Sequence, residues 1–334
     1  MKKIRWGIVG AARIVDRMLP TIANADNGEL IAIGSRRPGA AKACLVKNAP
    51  QLEDEVQTFD GLDQVINHER IDAVYIPLAN QEHTQVALRA IRAKKHVLIE
   101  KPLAIKIQDV ELLIQEAERY QVKLMEGFMY MFHPQFDRMQ NIIQSNILGE
   151  VNYAHSMFSF PIQPARFYRI NREIKDGGGA LWDIGPYAIH TLRQCFKENP
   201  LRVYAQARLN EHGADISSTG MIDFGSHMRA TFDISFACTR RSEFEVFGAN
   251  GRAKCPTVWQ PDDQTAKIVF STEKSGAQEE IVPKANHFEL EFRHFNEAIQ
   301  KNLALKVNAI DSLWNVRTLV ALQESIKSGE WVNL

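Results

Sequence analysis

"KIRWGIVGAARIVDRMLPTIANA", residues 3–25, decides the fold. A β-rich apolar run, KIRWGIV, meets Gly10 and passes at once into the helix-like pattern ARIVDRMLPTIANA. Glycine at a strand-to-helix turn lets the backbone approach a pyrophosphate, and the helix N-terminus favours the phosphate's charge. The G-x-G-x-x-G pattern is imperfect, because Ala12 and Val15 stand where further glycines would be. Gly10, Ala11, Ala12, Arg13 and Ile14 form the candidate phosphate cradle, provided that the next hundred residues supply the rest of a nucleotide-binding sheet.

Those residues alternate. ELIAIGSR reads as a strand, GAAKACLVKNA as a helix, EVQTF as a short strand and GLDQVINHE as a helix. IDAVYIPL, QEHTQVALRAIRAK, HVLIEKPL, IQDVELLIQEAERY and VKLMEGF continue the pattern through about the first 125 residues. Strands separated by helices predict a parallel sheet with right-handed crossovers. The end of the second strand bears on the nucleotide. An NAD site carries an acidic residue there for the ribose hydroxyls, whereas this chain has Ser35, Arg36 and Arg37. A guanidinium pairs with a 2′-phosphate, so NADP is the expected cofactor and NAD the alternative. Two solvated arginines at a strand end are the plain alternative.

Beyond about residue 126 the pattern changes. GEVNYAHSMFSF, LRVYAQARLN, STGMIDFG, HMRATFDISFAC, RSEFEVFGANG, RAKCPTVW and AKIVFST read as strands, several joined by glycine-containing turns. They predict a largely antiparallel sheet. HFELEFRHFNEAIQKN and AIDSLWNVRTLVALQESIKSG read as closing helices. A chain of 334 residues, 45% hydrophobic and 24% charged, suits two ordinary globular domains. Forty basic and forty acidic side chains cancel, which argues against nucleic acid or an anionic membrane as the main partner. No run is long and apolar enough to span a bilayer, and the opening residues lack a signal-peptide core. The cysteines Cys44, Cys195, Cys238 and Cys255 lie far apart without metal-ligand spacing, so reduced thiols in a cytoplasmic protein and no metal are expected.

"GGGALWDIGPYAIH", residues 177–190, holds the polar residues of interest. At about 100° per residue, Asp183, Tyr187 and His190 share a stripe about 60° wide on an otherwise apolar helix. Inward polar groups need partners. Asp183 either caps the helix or joins a site, and His190 is either a satisfied core histidine or a substrate contact.

HVLIEKPLA at 96–104, with AVYIPLANQEHTQVALRAIRAKK before it and MEGFMYMFHPQF after it, resembles the glucose–fructose oxidoreductase, inositol dehydrogenase and MocA family. The resemblance runs over nearly the whole chain. It implies an N-terminal Rossmann domain, residues 1–125, and a C-terminal α/β domain, residues 126–334, with a large, mostly antiparallel open sheet through which a homodimer or higher homo-oligomer forms. The motif Glu100-Lys101-Pro102 implies a lysine beside the nicotinamide and the substrate oxygen. Asp183-Ile-Gly-Pro-Tyr187 is similar to the pattern of the dihydrodiol and xylose dehydrogenase subgroup, which implies Asp183 and Tyr187 as active-site partners of Lys101. Pro77, Leu78, Asn80 and His83 match the loop beside the nicotinamide ribose.

The resemblance implies hydride transfer between NADP(H) and a sugar, sugar derivative or cyclic diol. Tyr187 can serve as proton donor if a cation such as Lys101 favours its phenolate, and Asp183 can orient substrate or lysine. Tyr130 is a candidate stacking surface or simply core. Arg166 and Arg169, with Arg172, form either a solvated loop or substrate contacts. Two other functions remain open: sugar-to-sugar hydride exchange on a retained cofactor, and a dinucleotide-binding regulator without catalysis.

Overall fold

A computed structural model describes residues 2–24, 26–261 and 266–334. Six strands come first: β1 (Ile4–Val9), β2 (Gly28–Gly34), β3 (Gln57–Phe59), β4 (Ala73–Ile76), β5 (His96–Glu100) and β6 (Leu124–Gly127). Between them run α1 (Val15–Asn24), α2 (Ala40–Asn48), α3 (Asp63–Ile66), α4 (His83–Arg92) and α5 (Ile107–Tyr120). Ala25, the last residue of the expected first helix, lies outside the described residues. The chain continues with α6 (Pro134–Gln144), β7 (Val151–Ser159), α7 (Ala180–Asp183) and α8 (Gly185–Phe196). Then come β8 (Arg202–Leu209), β9 (Asp215–Gly225), β10 (Met228–Ser235), β11 (Arg241–Gly248), β12 (Gly251–Cys255), β13 (Ala266–Thr272) and β14 (Ser275–Val282). The last elements are α9 (His287–Gln300), α10 (Ala309–Ser328) and the two-residue β15 (Val332–Asn333). No described helix is long and apolar enough to cross a membrane.

The chain divides into two compact units. The first, Met1–Met129 with Asn286–Leu313, contains a parallel sheet in the order β3-β2-β1-β4-β5-β6. Its central strands are buried along nearly their whole length, which is why they read as continuous apolar runs. The order reverses between β1 and β4, the switch point at which nucleotides bind in such sheets.

The domain limits expected from sequence need correction, because Asn286–Leu313 returns to the first unit. The cause is Trp6. Its ring packs edge-on to Phe292 at 4.8 Å and against Phe295 at 5.6 Å, and its indole N–H donates to Asn296 Oδ1 at 2.9 Å. Phe292 also meets Tyr75 on β4 at 5.8 Å. One amphipathic face of α9 thus covers a tryptophan that the preceding helices leave to it.

The second unit, Tyr130–Ala285 with Trp314–Leu334, is built on a nine-stranded sheet ordered β14-β13-β12-β11-β7-β10-β9-β8-β15. Among the described residues of this sheet, β7 and β10 are the only strands that pair in parallel. Inward side chains of β7, β10 and β11, among them Phe158, Phe232, Ile234, Phe244 and Val246, form its core with α8. Trp259 stacks on Phe158 with centroids 4.8 Å apart.

Candidate active site

In the first unit the expected cradle sits where β1 ends. Gly10 has φ +130°, and a Cβ there would lie 2.7 Å from Leu78 Cδ2, so the turn requires glycine. Its N–H donates to the Gly34 carbonyl at 2.9 Å, joining the ends of β1 and β2. The N–H groups of Ala12, Arg13 and Ile14, just before α1, donate to no acceptor among the described residues. Such groups ahead of a ten-residue helix suit a pyrophosphate. At the end of β2, Ser35 is buried and its Oγ accepts the Arg37 N–H at 3.2 Å. The Arg37 guanidinium donates to the Ala11 carbonyl at 2.8 Å, and the exposed Arg36 pairs with Glu82. The Arg37 guanidinium thus stands beside the cradle, and the set fits a dinucleotide carrying a third phosphate.

The lysine loop comes directly after β5. Glu100 accepts the Tyr75 hydroxyl at 2.7 Å, and the Lys101–Pro102 peptide is cis. His83 was expected beside the cofactor, and here the reading needs correction. Its ring is completely buried, with Nδ1 2.7 Å from the Pro102 carbonyl and Nε2 3.0 Å from the Leu78 carbonyl. Burial holds its pKa below the usual histidine value, and the neutral ring lies between the lysine loop and the Pro77–Leu78 loop, its single N–H donating to one of the two carbonyls. Asn80 opens the short turn Asn80–Glu82 that leads into α4.

In the second unit the glycine run has a physical reason. Gly179, at φ +90°, passes so close to Asp215 that any Cβ would collide with Oδ1, and a Cβ on Gly178 would strike the Arg172 carbonyl. The close approach lets Asp215 Oδ2 cap α7, accepting the Leu181 N–H at 2.9 Å and the Ser218 hydroxyl at 2.7 Å. Burial pushes the Asp215 carboxyl up to about 6, against the opposing effect of those donors. Sequence reasoning missed Asp215, because an aspartate opening a strand carries no local mark of the helix it caps.

The single helix expected through Asp183, Tyr187 and His190 is broken. α7 stops at Asp183 and α8 starts at Gly185, because Pro186 has no N–H to bond the Trp182 carbonyl. Asp183 is buried and ion-paired with Arg169, so Arg169 is already engaged by a carboxylate. Tyr187 is 8% exposed, its ring edge-on to Phe158 at 5.8 Å and to Tyr130 at 6.3 Å.

Tyr130 and His190 need correction as substrate contacts. Both are fully buried, and the Tyr130 hydroxyl lies 2.6 Å from His190 Nδ1. Tyr130 also packs edge-on against Phe136 at 5.0 Å, which leaves no open face for stacking. The pair instead forms the floor behind Tyr187. Arg166 lies over the Phe160 ring at 5.4 Å. No cluster of three or more metal-ligating side chains occurs among the described residues.

Two family models match this chain. The oxidoreductase-family NAD-binding Rossmann fold covers residues 4–128, and the GFO/IDH/MocA C-terminal domain covers residues 136–254. An uncharacterised oxidoreductase of Rhizobium meliloti is 31% identical over 339 residues, covering 99% of both chains. D-Xylose 1-dehydrogenase (NADP(+)) 2 of Haloferax volcanii is 29% identical, covering 98% of this chain and 99% of its own. The crystal structure of a 3-ketoreductase from Actinomadura kijaniata with NADP and TDP-benzene superposes with a TM-score of 0.89 at 26% identity, over 97% and 98% of the two chains. By sequence and by architecture, the chain belongs to the GFO/IDH/MocA family of oxidoreductases.

Proposed function

We propose that this protein is an NADP-dependent dehydrogenase or reductase that interconverts CH–OH and C=O in a sugar, sugar derivative or cyclic diol. The observation that carries the reading is the Gly10 turn, with its unbonded N–H groups and flanking Arg36 and Arg37, in a chain of this family. The dinucleotide, when bound, supplies the hydride chemistry. The chain's own residues supply the rest. The turn and the N-terminus of α1 take the pyrophosphate charge, and Arg36 and Arg37 select the 2′-phosphate. Lys101 holds an ammonium at the reacting oxygen, and Tyr187 gives or takes the proton there. Asp183 is fixed by Arg169 and orients substrate hydroxyls. Tyr130 and His190 keep the Tyr187 ring in place.

The test is a panel of aldoses, ketosugars, anhydrosugars and diols, each with NADP(H) and NAD(H). Turnover of at least one sugar or diol, faster with NADP(H), is expected. Tight cofactor binding without turnover of any member would instead favour a regulator. In a responsive assay, Tyr187→Phe should lower kcat about 100-fold or more while the Kd for NADPH stays within twofold. Unchanged kcat would remove Tyr187 from the chemistry.

The protein also acts as a homodimer through the outer face of the nine-stranded sheet. Tyr153, His155, Thr231, Asp233 and Arg241 form a half-buried polar patch there, with Tyr153–Thr231 and His155–Thr231 contacts of 2.6 Å and an Arg241–Asp233 ion pair. Light scattering should give twice the chain mass. Unpaired cysteines match a cytoplasmic setting.

A further inference from the structure

The first unit buries a carboxyl beside the lysine loop that has no part in the proposed hydride transfer. Glu126 lies in the middle of β6, next to Ile99 of β5 in the parallel register, and is 1% exposed. Its Oε1 accepts the Leu103 N–H at 3.0 Å, two residues beyond Lys101. Its Oε2 and the Ser312 hydroxyl, from the first turn of α10, are both buried without a well-aligned partner, although Ser312 stands close enough to favour the charged carboxyl. Two other charges face the group: Lys101, which favours its ionisation, and Asp311 of α10, which opposes it. Burial outweighs both and raises the carboxyl to about 8, so near neutrality it carries a proton.

A carboxyl inside a parallel strand is costly even when protonated, since such strands are covered on both faces. A leucine or methionine would fill the space without that cost. The chain instead places an ionisable group where it touches the loop on one side and feels the ammonium on the other.

We propose that Glu126 is a positioning residue for Lys101: it anchors the loop through the Leu103 N–H and adjusts the charge that the ammonium faces. This rests on the catalytic reading of Lys101 only for its effect on turnover. The coupling between the two groups is a property of the folded chain. As pH rises and Glu126 loses its proton, the new negative charge holds the Lys101 proton more tightly, so the two groups titrate as a pair.

The experiment is an NMR titration of the full-length protein carrying 13Cε-labelled lysine, with Lys101 assigned through Lys101→Arg. In Glu126→Gln the amide still accepts the Leu103 N–H, but the charge is gone. Lys101 should then titrate about one pH unit lower than in the wild type. Ser312→Ala reaches the same carboxyl without touching the loop. It removes a group that favours the charged form, so Lys101 should shift the same way by less. Identical Lys101 titrations in wild type and both variants would overturn the proposal.

The pH profile of turnover separates this from the catalytic reading. If Lys101 serves the reaction, the basic limb of kcat/KM in Glu126→Gln moves with the NMR shift. If the NMR shift occurs and the profile stays put, Glu126 acts on Lys101 but the lysine is not the kinetic group.

Discussion

Gly179 and Asp215 form one device made of two residues. The glycine supplies the close approach, and the carboxylate closes the start of α7. Gly179→Ala should cost about 3 kcal/mol, from the φ +90° strain and the collision with Oδ1 together, read as a lower urea midpoint. A variant as stable as the wild type would mean that the loop finds another path. The cap also predicts a pH dependence of stability. Asp215 is raised to about 6 from an ordinary 3.8, so the folded chain binds a proton that the unfolded chain releases. Its contribution is complete below about pH 4 and is lost as pH rises through 6. Asp215→Asn keeps the Leu181 acceptor and removes the titration. Across pH 4–6 the wild type should therefore lose up to about 1.4 kcal/mol per pH unit relative to the variant. Parallel stability curves would contradict the assignment. Residue types legible in the sequence, Asp183 and Tyr187, stand in a local motif. Asp215 is 32 positions from Asp183, and no spacing rule links a strand's first residue to a distant helix.

At the scale of elements, loops are joined by buried polar side chains. His83 at the start of α4 bridges the Leu78 and Pro102 carbonyls. His83→Ala leaves the buried carbonyl that accepts the single ring N–H short of its donor, which should cost about 1–3 kcal/mol of stability. The same change should weaken NADPH binding roughly tenfold by fluorescence titration, because the loop it holds abuts Gly10; a Kd equal to wild type would show that the clamp does not reach the nucleotide turn. The strands of the first sheet were readable since burial on both faces makes them continuous apolar runs. Glu126 was the usable exception, a lone carboxylate between Met125 and Gly127 in such a run. The break between α7 and α8 was half legible. Pro186 was visible, but three polar residues in step suggested one helix, and only the missing N–H separates it into two.

For the molecule as a whole, periodicity identifies a face but carries no address. The phenylalanines of α9 mark it as amphipathic, yet their partner is Trp6, more than 280 residues earlier in the sequence. That is why the sequence placed α9 with the second domain. A fragment of residues 1–129 alone should bury Trp6 poorly and emit red-shifted tryptophan fluorescence. Adding residues 286–313 in trans should shift the emission back to the blue, and an unshifted fragment would show that α9 is dispensable.

The bond between Trp6 and Asn296 closes a loop of 290 residues. During synthesis the indole leaves the ribosome 290 residues ahead of its acceptor. Until α9 has been made, then, the nascent nucleotide-binding sheet carries an uncovered aromatic face, a natural target for chaperones. Loop closure over such a span also makes refolding slow relative to proteins built from local contacts.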